Sequence, residues 1–238
     1  TRDDARASTR PPPVDHACPR RRVAGRADAP GLFDARFIAE LLLMGSITGY
    51  LAGLLGIGGG MIQVPFLTAL LERSGMSSEL ALKSAIATAM ATIVFTSIAS
   101  ARSHHARGAV RWDVVRAMAP GIIVGGLIAG ASVFTWLRGP WLGVAFALFV
   151  GYSATQMLID RKPKATRLLP GAPMQAAVGG GIGALSSLVG AGGAFLSVPF
   201  LVWCNVRIHH AVGTAAALGF PIALASTLGY VVGGWSLP

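Results

Sequence analysis

Six long apolar runs are the feature that most limits how this chain can fold. They cover residues 37–71, 80–101, 114–137, 141–159, 174–204 and 211–235. A helix needs about 20 mostly apolar residues to cross a bilayer core. Charged residues make up only 13% of the chain, against about 25% in ordinary soluble domains. The sequence therefore predicts an all-α fold, a polytopic α-helical integral membrane protein with about six membrane segments.

The positive charge of the chain is distributed as in a membrane protein. The formal net charge is +10, and eight arginines lie within residues 1–36. Most other basic residues fall in short loops, as the orientation of membrane helices produces. A nucleic-acid partner would require a basic face on a folded domain, so none is predicted. The two cysteines, Cys18 and Cys204, support neither a disulfide framework nor a thiolate metal site.

An internal repeat organises the chain. Residues 49–67, GYLAGLLGIGGGMIQVPFL, align without gaps to residues 183–201, GALSSLVGAGGAFLSVPFL, and are identical at 10 of 19 positions. Residues 84–91 then match residues 210–217 more weakly, in the same order. Self-similarity of this kind is the signature of a duplicated structural unit.

The repeat also sets the expected domain boundaries. Pro238 in the second copy corresponds to about Trp112 in the first, so two of an expected eight membrane segments are absent and the sequence is interpreted as partial. Residues 1–36, the leader, lack apolar periodicity and are predicted to be disordered. They are either a functional tail or a product of a reading frame extended too far upstream. The predicted units are a basic disordered leader (1–36), a first repeat (37–160), a basic cytoplasmic loop (161–173) and a truncated second repeat (174–238).

Loop charges predict an orientation. If every apolar segment crosses once and the N-terminus is cytoplasmic, the inside regions carry more basic residues than the outside loops. The inside set is the leader arginines with Arg102, Arg107, Arg111, Arg161, Lys162, Lys164 and Arg167, and the outside set is Arg73, Lys83, Arg138 and Arg207. The two halves are then parallel repeats. If the glycine-rich segments turn back on themselves, the repeats become inverted, an alternative that the charge bias disfavours without deciding.

The duplicated glycine segments are the candidate functional site. Residues 37–71 are long enough for about 50 Å of helix at 1.5 Å per residue, more than a bilayer core of about 30 Å requires. Breaks near 56–60 and 190–194 would leave a shorter helix after each, and paired interrupted segments point to the binding site of a transporter. The new helix ends would present free N–H groups and a positive dipole end to a small anion.

The residues expected to bind such an anion are matched between the two copies. They are the glycines and prolines of the motif with nearby hydroxyl and amide side chains: Gly56, Gly58, Gly59, Gly60, Gln63, Pro65, Thr88, Ser186, Ser187, Gly190, Gly192, Gly193, Ser197, Pro199 and Thr214. The simpler interpretation, that the glycines only allow close helix packing, is preferred for Gly121, Gly125, Gly126 and Gly130. No Lys-Ser/Thr pair follows either glycine cluster, which excludes a P-loop.

Other polar residues carry weaker hypotheses. The pairs His104–His105 and His209–His210 lie on opposite membrane sides in the orientation above, so they are interpreted as ordinary loop histidines and no metal site is predicted. Glu40 starts a membrane helix and is expected at the interface. No other carboxylate falls within an apolar run, so a carboxylate proton relay is not expected.

The two segments GLLGIGGGMIQVPFL and SLVGAGGAFLSVPFL, each followed by an A-x-[AG]-T helix, resemble the sulfite exporter TauE/SafE family. The resemblance runs from about residue 38 to the C-terminus. It implies a multi-pass permease of the cell inner membrane that moves sulfur-containing anions such as sulfite, sulfoacetate or related organosulfonates. The leader and the absent helices depart from the family, and Ala194 stands where the first copy has Gly60.

The predicted function is therefore that of a secondary transporter for a small anion, in which two repeats rock about the broken segments. An anion channel and a non-transporting membrane scaffold are the alternatives. No nucleophile, acid–base or metal cluster indicates an enzyme, and no cofactor is expected. The expected partners are a small anionic substrate and the lipid bilayer; the sequence predicts no oligomeric state.

Overall fold

The computed structural model describes residues 35–55, 59–135, 139–159 and 169–235, and the predicted leader lies outside them except for its last two residues. Helices account for all the regular structure in these ranges, which confirms the predicted all-α class. They are α1 (Ala35–Leu55), α2 (Gly60–Arg73), α3 (Ser78–Ala106), α4 (Trp112–Thr135), α5 (Gly139–Ile159), α6 (Ala172–Val189), α7 (Ala194–Trp203) and α8 (Ile208–Trp235).

The helices follow the six apolar runs, two of which are broken. Residues 37–71 form α1 and α2, and residues 174–204 form α6 and α7. Three described helices contain stretches long and apolar enough to span a bilayer, Ser78–Ala106, Trp112–Ser132 and Ile208–Trp235, and shorter apolar stretches lie in α1, α5 and α7. The protein is a multi-pass membrane protein whose broken segments stand at the two predicted places.

The outer surface of the bundle is apolar. Leu42, Phe95 and Leu148 are 68, 75 and 70% exposed. The core is apolar as well, with Ile86 and Met118 fully buried. Large apolar side chains on both the inside and the outside are typical of helices surrounded by lipid, since lipid tails are as apolar as leucine.

Helix α4 packs against α6 and α8 through glycines. A Cβ added at Gly179 would lie 2.6 Å from the Met118 carbonyl oxygen, and one at Gly183 would lie 2.6 Å from that of Ile122. A Cβ at Gly121 or Gly125 would overlap backbone atoms of α6. These contacts confirm the packing interpretation of the α4 glycines, because only a missing side chain lets two backbones come this close.

The order of these contacts shows the direction of the helices. Met118 meets Gly179, Ile122 meets Gly183, and Gly126 meets Ser187, so α4 and α6 run in parallel. Helices α4 and α8 also run in parallel, because Gly229 packs on Leu127 and Gly233, one turn later, packs on Ala131. Helices α6 and α8 therefore start at the same face of the bundle.

Helix α7 must then run back towards that face. Only residues 204–207 separate Trp203, the end of α7, from Ile208, the start of α8, and four residues span at most about 14 Å. The tip that precedes α7 lies near the middle of α8, where Gly192 approaches Gly219 and Gly193 approaches Ile222. Helices α6 and α7 therefore form a hairpin.

Helices α1 and α2 form a second hairpin. They border one apolar pocket along their length, to which α1 contributes residues from Glu40 to Thr48 and α2 residues from Ile62 to Arg73. Two helices that lie side by side and are joined by residues 56–59 must run in opposite directions. Since α3 follows α2 after the short 74–77 connection, this hairpin enters from the face at which α3 starts.

The expectation that each apolar segment crosses once, which made the halves parallel repeats, is therefore wrong. We name the two faces by their residues: the Arg73 face, with Arg73 and Ser77, and the His104 face, with His104 and His209. Hairpin α1–α2 enters from the Arg73 face and hairpin α6–α7 from the His104 face, so the repeats are inverted. Loop charges favoured the other topology because they were counted with one crossing per segment, whereas a reversal inside an apolar segment moves the loops that follow it to the other face.

The reversal also corrects the placement of the histidine pairs. His210 Nδ1 lies 3.2 Å from the carbonyl oxygen of Ala109, just beyond the end of α3. Both pairs, His104–His105 and His209–His210, therefore lie at the His104 face, and their predicted placement on opposite sides of the membrane is wrong. No three metal-ligating side chains come together among the described residues.

Candidate functional site

The tips of the two hairpins touch each other. Gly60 is the first residue of α2, and a Cβ added there would overlap the carbonyl oxygen of Gly190, which follows α6. A Cβ at Gly190 would in turn lie 3.1 Å from the Cγ2 of Val64 in α2. Glycine at both positions thus allows the two broken segments to meet inside the bundle, as the repeat predicts.

The second tip is built by two glycines in the left-handed region. Gly190 has φ 69° and Gly193 has φ 74°, a conformation that side chains with a Cβ rarely adopt. The Gly193 amide donates to the Ala191 carbonyl at 2.7 Å, and the Gly193 carbonyl accepts from Ser197 at 2.9 Å. The amides of Ala194 and Phe195, at the start of α7, have no backbone acceptor among the described residues. The tip therefore presents donors at a helix N-terminus.

A cavity of about 400 Å³ lies beside the touching tips. We call it the central cavity. Both hairpins, α3 and α8 line it: Gly45, Thr48 and Gly49 of α1; Gly59 and Gln63 at the start of α2; Gly192, Ala194 and Val198 of the second hairpin; Thr92, Ile93, Thr96, Ser97, Ser100 and His104 of α3; and Val212, Ala215, Ala216 and Gly219 of α8. It extends from the hairpin tips to His104 and Val212. The central cavity thus connects the two glycine tips with the His104 face.

The polar groups of the central cavity are mostly neutral. Hydroxyl groups come from α1 and α3, and the Gln63 amide donates to Thr92 Oγ1 at 3.3 Å. Among the described lining residues there is no lysine, arginine, aspartate or glutamate. The cavity thus offers hydrogen-bond donors to a ligand without a permanent side-chain charge.

Helix α3 contributes a polar stripe that is absent from the predicted site residues. Thr92, Thr96, Ser100 and His104 follow one another at intervals of four residues and all line the central cavity. Residues spaced by four share one face of a helix. The spacing of four is visible in the sequence, and the prediction that His104 is an ordinary loop residue is wrong, because it lies in the last turn of α3.

The predicted site residues divide into groups. Gly59, Gln63 and Gly192 line the central cavity, and Gly60, Gly190 and Gly193 form the contact between the tips or the turn at the second tip. Gly56 and Gly58 lie outside the described residues.

Four further candidates do not line the central cavity. Pro65 and Pro199 are exposed inside α2 and α7. Thr88 is also exposed, and its carbonyl accepts from Thr92 Oγ1. Thr214 is buried and accepts a hydrogen bond from the Arg111 amide at 3.1 Å, which joins α8 to the segment before α4.

The three candidate serines are buried near the second tip. Ser187 Oγ donates to the Gly183 carbonyl at 2.8 Å and lies 2.6 Å from Ser226 Oγ, while the Ser187 carbonyl accepts from the Tyr230 hydroxyl. The hydroxyls of Ser186 and Ser197 have no hydrogen-bond partner among the described residues. Ser187 therefore belongs to a hydrogen-bonded cluster between α6 and α8, whereas the other two leave buried donors beside the tip.

Comparisons with known proteins show the family to which the chain is similar. The model of the family described as sulfite exporter TauE/SafE matches residues 41–238. A probable membrane transporter protein of Haemophilus influenzae is 36% identical over 203 residues, which cover 85% of this chain and 76% of that protein. A probable membrane transporter protein of Bacillus subtilis is 26% identical over 207 residues, with 82% and 79% covered. No solved structure matches.

Proposed function

The chain belongs to the sulfite exporter TauE/SafE family of membrane transporters, and from that membership we propose that it is a secondary transporter that moves a small anion across the cell inner membrane. The proposed substrate class is a sulfur-containing oxyanion or organosulfonate, such as sulfite or sulfoacetate. The proposed partners are this anion and the lipid bilayer.

The observation that carries the proposal is the meeting of the two glycine tips at the central cavity. Two inverted hairpins whose tips meet inside a bundle resemble the broken helices at the binding sites of secondary transporters. A backbone that is not helical is tolerated at membrane depth where it lines a cavity. Gly60 packs on Gly190 at this point, and Gly59 and Gly192 face the cavity. The tips are therefore the proposed substrate site.

The chemistry of the central cavity favours an anion over a cation. A cation would require carboxylate or carbonyl oxygens, and no carboxylate occurs among the described lining residues. An anion would find the start of α7, whose dipole is positive at this end, and the Gln63 amide. A volume of about 400 Å³ is in the range of small-molecule sites, which leaves room for an organosulfonate.

The inverted arrangement supports alternating access as the mechanism. Each hairpin enters from a different face, so the same tip contact can be reached from either side when one repeat rocks against the other. In this structure the central cavity reaches the His104 face, at Val212 and His104. The cytoplasmic position of the N-terminus stays a prediction, but the count of loop charges no longer supports it, because α1 starts at the Arg73 face and α3, with Arg107 after it, ends at the opposite face.

Flux measurements in proteoliposomes test the proposal. The full-length protein is reconstituted and uptake of sulfite, sulfoacetate, acetate and sodium is followed over a range of concentrations. We expect saturable uptake of one of the sulfur anions, with little movement of acetate or sodium. Uptake that does not saturate would identify a channel, and movement of sodium without any anion would overturn the proposal.

A further inference from the structure

His104 differs from the other residues of the central cavity because it can carry a charge. It lies one helical turn beyond Ser100 on the polar stripe of α3 and is partly exposed. The structure gives its imidazole no hydrogen-bond partner among the described residues. His104 therefore lies at the end of the row of hydroxyls that leads to the hairpin tips.

Two other histidines at the same face are already engaged. His105 Nδ1 accepts a hydrogen bond from Trp112 Nε1 at 3.1 Å, and the two rings pack edge to face. His210 Nδ1 lies 3.2 Å from the Ala109 carbonyl oxygen. These contacts hold loop and helix ends together. Neither His105 nor His210 lines the central cavity, and neither does His209, whereas His104 does.

No other ionisable group among the described residues lines the central cavity. Helices α2, α5 and α8 pack against α3. Arg111 is paired with Asp113 at 2.5 Å in the segment before α4. The remaining ionisable residues on or near these elements are Arg102, His105 and Arg107 of α3, Glu79 and Lys83 at its other end, Glu72 and Arg73 of α2, Tyr152 of α5, and His209, His210 and Tyr230 of α8. None of them lines the cavity, so His104 is the ionisable side chain that the described part of the chain places in its wall.

We propose that the imidazolium form of His104 is the counter-charge for the transported anion, so that anion binding takes up a proton and strengthens as pH falls. This inference rests on the proposed anion transport. An anion that leaves water for the interior of a bundle requires a compensating charge or hydrogen bonds, and bonds to an ionised donor are about twice as strong as neutral ones. Histidine is the side chain whose ordinary pKa places this change near neutral pH.

The closing experiment compares the pH dependence of sulfoacetate uptake in proteoliposomes. Both acidic groups of sulfoacetate stay ionised between about pH 6 and about pH 8, well above an ordinary carboxyl pKa, so any pH effect belongs to the protein. In the wild-type protein we expect uptake at a fixed low sulfoacetate concentration to be about tenfold higher at about pH 6 than at about pH 8. At the higher pH the neutral imidazole no longer makes the charge-assisted hydrogen bond, and the loss of one such bond has about this effect on affinity.

Three variants identify the group responsible. At every pH, His104→Gln is expected to show the low uptake that the wild type has at about pH 8. His104→Lys is expected to show, at every pH, the high uptake that the wild type has at about pH 6. His105→Gln is the matched control, since His105 contacts Trp112 outside the cavity, and should keep the wild-type profile. A wild-type profile in His104→Gln would overturn the role of His104 while leaving the proposed transport intact. Absence of uptake by the wild type at every pH would overturn both.

A measurement on the wild type alone avoids the question of whether variants fold. Addition of sulfoacetate to the purified protein in weakly buffered detergent solution at about pH 7.5 should raise the pH, because binding converts imidazole to imidazolium. Saturable binding without proton uptake would contradict the proposal.

Discussion

At the residue scale, glycines of two kinds can be distinguished by their surroundings. At Gly121 and Gly183 an added Cβ would meet backbone atoms of a neighbouring helix, whereas at Gly45 and Gly49 it would meet nothing within 4 Å. The first pair allows α4 and α6 to touch. The second pair lines the central cavity, where a missing side chain leaves space for a ligand.

The packing glycines lead to a stability prediction. Gly121→Ala should lower the free energy of unfolding by about 1–3 kcal/mol, since its Cβ has no room beside the Ala176 carbonyl and overpacking costs about this much. Gly143→Ala is the control, because its Cβ would lie in ordinary contact, 3.8 Å from Leu82. Thermal unfolding in detergent measures both, and an unchanged melting temperature for Gly121→Ala would contradict the described α4–α6 contact.

The buried cluster of Ser187, Ser226 and Tyr230 leads to a second residue-scale prediction. Tyr230→Phe removes the hydroxyl that donates to the Ser187 carbonyl and should cost about 0.5–2 kcal/mol, the usual worth of such bonds between membrane helices. Uptake of the anion by folded protein should be unchanged, because the cluster lies outside the central cavity. Tyr50→Phe, at a residue that is 70% exposed, is the control for the melting temperature. Loss of transport without loss of stability would instead place Tyr230 in the site.

At the element scale, the sequence predicted the breaks in the helices but not the reversal of chain direction at each break. The repeated G-x-G-G and V-P-F-L motifs were sufficient to predict a break in both long segments, since glycine and proline disfavour a continuous helix. Whether the chain then continues or reverses depends on φ at Gly190 and Gly193 and on the packing of α6 against α4. These contacts are remote in sequence, and for that reason loop charges gave the wrong topology.

Cysteine labelling tests the hairpins directly. In a protein whose Cys18 and Cys204 are replaced by serine, Arg107→Cys and His209→Cys should react with an impermeant thiol reagent from the same side of the membrane. Glu72→Cys, at the Arg73 face, should react from the opposite side. All three positions are exposed. If residues 107 and 209 were labelled from different sides, each apolar segment would cross the membrane once, and the inverted repeats would be contradicted.

At the scale of the whole molecule, the two inverted repeats contribute unequally to the central cavity. Helix α3 lines it with Thr92, Thr96, Ser100 and His104, whereas the lining residues of α8 are small and apolar: Val212, Ala215, Ala216 and Gly219. The duplication in the sequence predicted a paired site. It did not predict this asymmetry, because matching positions of the repeats face different neighbours once the hairpins turn back.

The candidate site could be predicted from the sequence where the signal was local. Gly59, Gln63 and Gly192 line the central cavity because these parts of the motif lie at or next to the hairpin tips. Ser187 and Thr214 also occur in or next to the repeat, but Ser187 lies against Ser226 and Thr214 accepts from the Arg111 amide, and both partners are far away along the chain. Such partners become visible only when the helices are packed.

The most direct test of the central claim is a variant that fills the central cavity without disturbing its walls. Gly49→Leu suits this purpose, because Gly49 lines the cavity and has open space around it. Gly181→Leu is the matched control: Gly181 also has nothing within 4 Å but lies outside the cavity. In proteoliposomes with equal amounts of folded protein, we expect sulfoacetate uptake to fall at least about tenfold in Gly49→Leu, the effect of about 1.4 kcal/mol, and to stay at the wild-type level in Gly181→Leu. Full uptake by Gly49→Leu would contradict transport through the central cavity.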